Sequence, residues 1–94
     1  MGVGAPMGLR QVFRFSASTD EVREFLRGLE PAALVEDHGD FFVFRSRQGS
    51  AFEFDCEIVA DGVRSERAGE YFHFLGLFLE ELTGRFGRIE VEDQ

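Results

Sequence analysis

Phe42 and Phe44 stand two residues apart before Gly49, and Phe52 and Phe54 stand two apart after it. A spacing of two puts side chains on one side of an extended chain, whereas a helix would turn them to nearly opposite faces. Residues 40–47 and 50–60 are therefore expected to be two strands of a hairpin joined through Arg47, Gln48 and Gly49. Two loops are available, and the side-chain pattern chooses between them. A two-residue turn sets Phe44 opposite Glu53 and mixes acidic with apolar residues on one face. A three-residue loop ending at a left-handed Gly49 sets Phe44 opposite Phe52 and Phe42 opposite Phe54, and this is the register expected.

The rest of the chain is read by the same rule of period. Residues 9–16 alternate, with Leu9, Gln11, Phe13 and Phe15 on one side, and predict a first strand. Ser18 and Glu21 have the spacing of a capping box, and Val22, Phe25, Leu26 and Leu29 follow at helical intervals, so a helix is expected from there until Pro31 ends it. Residues 32–37 are either a short strand or an irregular connection, because Leu34 and Val35 are adjacent and cannot both face one core. Asp61-Gly62 marks a turn and residues 63–68 read as a polar connection. Residues 69–84 predict a second helix with an unusually wide apolar arc, closed by a left-handed Gly84. Ile89 and Val91 then alternate with acids in a final strand over 88–92.

Without the doubtful segment the order is βαββαβ, an arrangement that resembles the ferredoxin-like fold. The resemblance implies an α+β two-layer sandwich with both helices on one face of an antiparallel sheet. On the opposite, open face it implies strand-by-strand alternation of charge. The expected columns are Glu90 and Glu92, then Arg10 and Arg14, then Glu53, Asp55 and Glu57, then Arg45 and Arg47. Opposite charges across strands fix register, so these carboxylates read as sheet-pairing groups rather than as a metal site.

Composition narrows the function. A length of 94 residues is that of one domain, expected over 9–94 behind a flexible, glycine-rich leader over 1–8. Twelve Phe with one Tyr and no Trp favour a core with few polar atoms to satisfy. All ten basic residues are Arg, and 18 Asp and Glu leave a net charge of −8, which disfavours binding to a phosphate backbone. Gly39 to Phe44 carries aromatics of the kind that stack RNA bases, but no basic residue precedes the glycine and the run falls on the wrong strand of that fold. The amino-terminal residues lack the basic and apolar regions of a secretory signal and no run spans a bilayer, so a cytoplasmic protein without a membrane partner is expected. The single Cys56 excludes an internal disulfide. It falls on the strand face of Phe52 and Phe54, where burial would keep its thiol protonated.

No cofactor loop, metal-ligand spacing or nucleophile-base pair connects His38, His73 and Cys56, and the chain is read as non-enzymatic. What remains is binding. Glu36, Asp37 and Asp40, and Glu90, Glu92 and Asp93, form two acidic clusters suited to steering toward a basic protein, as in an immunity protein or antitoxin that blocks a cationic groove. The alternative is a dimeric, ferredoxin-like ligand-sensing or regulatory domain, for which His73, Gly76, Leu77 and Glu80 mark the self-association face. There Leu77 leaves the main apolar stripe. Gly76 is expected either to make room for a Phe or to admit a second backbone.

Overall fold

The computed structural model describes residues 9–47 and 51–94, so the expected leader and the Gln48-Gly49 part of the expected loop lie outside the described residues. The elements are β1 (Leu9–Arg14), α1 (Thr19–Arg27), β2 (Leu34–Asp37), β3 (Phe41–Arg45), β4 (Phe52–Val59), β5 (Gly62–Gly69), α2 (Phe72–Phe86) and β6 (Glu90–Asp93). The strands form one six-stranded antiparallel sheet in the order β2-β3-β4-β5-β1-β6. The protein is thus α+β, with two helices and a six-stranded sheet.

The expected four-strand order is corrected in one place. Residues 63–68, expected as a polar connection, belong to strand β5 (Gly62–Gly69), which inserts between β1 and β4. Its inward positions are Val63, Ser65 and Arg67, so a polar and a charged residue interrupt the alternation that would have revealed it. The insertion also reverses chain direction once more, so β1 meets an antiparallel neighbour. Residues 34–37 form the edge strand β2, with Leu34 turned outward and 49% exposed and Val35 against the core.

The hairpin register is also corrected. Phe44 pairs with Phe54 and Phe42 with Cys56, two residues beyond the expected partners. A shift of two keeps every side chain on its face, so Phe42, Phe44 and Phe54 are all buried while the connection is longer than three residues.

Both helices lie on one face. At the start of α1 the Ser18 hydroxyl accepts from the Glu21 amide at 3.1 Å and the Glu21 carboxylate accepts from the Ser18 amide at 2.8 Å, which satisfies two amides that the first turn leaves open. The helix ends at Arg27 and a 3-10 turn over Glu30–Ala32 contains Pro31, so the stop comes earlier than proline alone would set it. Helix α2 begins and ends later than expected: Gly84 is interior and Gly87, at φ +80°, is the cap. Phe78 of α2 is fully buried, with ring centroids of Phe54, Phe13 and Phe25 at 5.1, 5.6 and 5.9 Å. That cluster binds sheet, α1 and α2 into one core. No helix among the described residues is long and apolar enough to cross a membrane.

Candidate functional site

A cleft of about 630 Å³ opens where the 3-10 turn, the β3–β4 connection and the first turn of α2 meet. Next to it, β5 ends in a turn that only glycine fits. Gly69 sits at φ +83°, and a Cβ there would lie 2.5 Å from the Ala51 carbonyl oxygen. The chain then enters α2 with no side chain capping its amides. Phe52 and Phe74 stack at 5.3 Å to form an apolar wall, and Phe72 and Leu77 stand at the mouth beside Glu70 and His73. Arg47 lines the other side, donating from Nε and Nη2 to the Glu30 carbonyl at 3.2 and 2.8 Å. It therefore takes no place in the charge columns expected on the open face. Phe72 is 74% exposed, the most exposed large apolar residue among those described.

The expected self-association residues share this neighbourhood. His73, Gly76 and Glu80 are exposed on α2 and Leu77 is half-buried, all on the side away from Phe74, Phe78 and Leu82. Gly76 makes room for no side chain among the described residues, since none of their atoms from beyond its own stretch of helix lies within 4 Å of a Cβ placed there. This removes the reading in which it admits a Phe.

The two acidic clusters lie at opposite edges of the sheet and do not converge. Most of their charge is answered internally. Asp37 pairs with Arg27 at 2.7 Å, Asp40 with Arg23 at 2.7 Å, Glu36 with Arg45 at 3.2 Å and Glu92 with Arg14 at 2.8 Å. The Arg27 hydrogen bond and the Gly39 amide hold the Asp37 carboxyl below its usual range. Asp93 accepts from Gln11 at 2.7 Å, and Glu90 has no side-chain partner among the described residues.

The open face carries cross-strand ion pairs, but Arg10 and Arg14 do not stand beside Glu53, Asp55 and Glu57 as expected, because β5 lies between β1 and β4 and supplies other partners. Arg10 binds Glu66 at 2.9 Å, Arg64 binds Glu57 at 2.5 Å and Arg45 reaches Glu53 at 3.5 Å. Asp55 is the exception, and the sequence pattern missed it. Its cross-strand neighbours are Val43 and Glu66, and its Oδ1 is buried with no hydrogen-bond partner among the described residues. Loss of solvent, then the charges of Glu53 and Glu66, push its carboxyl up to about 6 against partial relief from Arg45.

The covered face holds the opposite case. Arg67, 4% exposed, lies 5.1 Å from the Tyr71 ring, 5.7 Å from Phe54 and 6.0 Å from Phe13. It donates to the Gln11 and Ser65 side chains, and no carboxylate among the described residues forms an ion pair with it. Its position within an apparent connection hid it from the sequence reading.

Groups suited to covalent chemistry are dispersed. Cys56 is fully buried, and burial pushes its thiol well above the usual range. His38 lies 3.3 Å from Glu36 on the β2–β3 side, while His73 is at the cleft. Among the described residues no three His, Cys, Asp or Glu side chains are grouped to hold a metal ion. Comparison with protein-family models, with curated proteins and with solved structures finds no match.

Proposed function

We propose that this protein is a small, non-enzymatic binding module of the immunity or antitoxin kind, whose uncovered sheet face meets the cationic groove of a basic protein in the cytoplasm. The observation that carries the reading is Asp55. It sits mid-sheet beside Glu53 and Glu66, and no cation among the described residues forms an ion pair with it, Arg45 giving only partial relief. A partner's Lys or Arg supplies the missing charge, and the net charge of −8 steers that partner in. Glu36, Asp37 and Asp40 at one edge, and Glu90, Glu92 and Asp93 at the other, act through the long-range field, because four of the six already hold an arginine.

The alternative, a dimeric ligand-sensing domain that keeps a ferredoxin-like order at the two ends of its chain, is favoured by the cleft. Its volume of about 630 Å³ falls in the usual range for small-molecule sites. The two readings separate in one experiment. Lysate of the native host is passed over wild-type and Asp55→Asn baits at low salt and eluted with a salt gradient. The binding-module reading expects one basic protein in defined ratio, released at moderate salt and about tenfold more weakly held by the variant. Equal retention by both baits removes the open face from the proposal, and retention insensitive to salt removes steering.

A further inference from the structure

Beyond the binding-module reading and independently of it, we infer that the outer face of α2 is a self-complementary dimer surface, on which a second copy of this chain packs its own α2 antiparallel across a two-fold axis. Gly76 and Gly84 are interior to α2, where each glycine weakens a helix, yet among the described residues neither has an atom from beyond its own stretch of helix within 4 Å of a Cβ position. No packing among the described residues requires them. Beside Gly76 stand the exposed Phe72 and the half-buried Leu77.

The residue order on this face selects the occupant. In an antiparallel pair whose axis passes between residues 76 and 77, His73 stands opposite Glu80 of the second copy, and Gly76 opposite Leu77. The two-fold repeats both contacts. One helix therefore supplies the donor and the acceptor, the gap and the side chain that fills it. Leu77 seats on the bare backbone at Gly76, which allows helix axes to approach at the short end of the usual range of about 8–10 Å. A His73–Glu80 hydrogen bond closes each side, about 10 Å apart along the helix. A parallel pair would instead set Glu80 against Glu80 and His73 against His73, which forfeits both contacts.

The test is sedimentation equilibrium of the full chain over micromolar to millimolar concentrations, with circular dichroism as the folding control. The wild type is expected at twice its 10.7 kDa monomer mass. His73→Glu and Glu80→His each place like groups opposite one another and weaken the dimer at least about tenfold, while the double swap restores it. Both positions are exposed, so the singles remain folded. A monomeric wild type at all concentrations, a dimer indifferent to either single, or a double swap no tighter than the singles overturns the inference. If the wild type is monomeric yet binds a basic partner through Asp55, only the dimer fails. If it dimerises as described and binds no basic protein, only the functional reading fails.

Discussion

The two faces of the sheet solve burial in opposite ways. The face under the helices is filled by Phe13, Phe42, Phe44 and Phe54 against Phe74 and Phe78, and admits one cation, Arg67. The open face is a lattice of Arg–carboxylate pairs around a partly buried carboxylate, Asp55, that forms no ion pair among the described residues. Apolar burial is non-directional and grows with area, whereas exposed ion pairs lose in desolvation and side-chain entropy most of what they gain. Stability should therefore reside on the covered face, and register and solubility on the open one.

The largest test of that contrast is Phe78→Ala. Phe78 is fully buried and touches rings from β1, β4 and α1, so its loss leaves a cavity that sheet and helices share. The expected cost is about 3–5 kcal/mol in urea unfolding, a large part of the stability of a small domain. Arg14→Ala breaks two ion pairs, to Asp61 at 2.6 Å and Glu92 at 2.8 Å, and is expected to cost under about 1 kcal/mol. Comparable losses from the two variants would break the contrast.

A smaller effect separates a buried cation from a buried ring. Arg67 depends on Gln11 for a hydrogen bond, and Gln11 in turn donates to Asp93. Gln11→Leu leaves the guanidinium with Ser65 as its remaining hydrogen-bond acceptor among the described residues and is expected to cost about 1–3 kcal/mol. Arg67→Met keeps an apolar stem between Tyr71, Phe54 and Phe13 without the charge, and should be near neutral. Combined, the two substitutions should be less destabilising than Gln11→Leu alone. A double variant worse than the single would mean that Arg67 contributes net stability through its rings.

What could be read from the sequence follows the same division. The alternating Phe of β3 and β4, the Ser18–Glu21 cap and the burial of Cys56 were legible because apolar period and capping chemistry are local. The parity of the hairpin was legible too, but its register moved by two, since loop length does not alter which face a Phe occupies. Strand β5 was lost because its inward residues include Ser65 and Arg67, which are core residues only once aromatic rings and Gln11 surround them. At the candidate sites the chain marked His73, Gly76, Leu77 and Glu80 as one helix face. It could not mark Asp55 as different from Glu53 and Glu57, because the difference lies first in loss of solvent and then in the charges of Glu53 and of Glu66, and both the burial and Glu66 come with the strand the pattern hid.

Asp55 gives the smallest effect and the sharpest, since its sign depends on pH. Its carboxyl rises from an ordinary 3.8 to about 6 in the folded chain, so between those values the folded state holds a proton that the unfolded state has released. The stability it contributes is full below the unfolded value and is lost as pH rises through about 6. At pH 7 the ionised group works against folding. Asp55→Asn should then raise Tm by about 2–4 °C, an amount already reduced for its contact with solvent. The gap should close as pH falls toward 4, where both proteins carry a neutral group. Asp37 and Glu21 act in the opposite sense, held down by Arg27 and by Ser18, but both remain in the variant and cancel in the difference. Thermal melts of the pair at unit steps from pH 7 to pH 4 read this directly. A gap that widens on acidification would mean that the ionised Asp55 is favourably placed within the chain, and the open face would then have no charge left for a partner to answer.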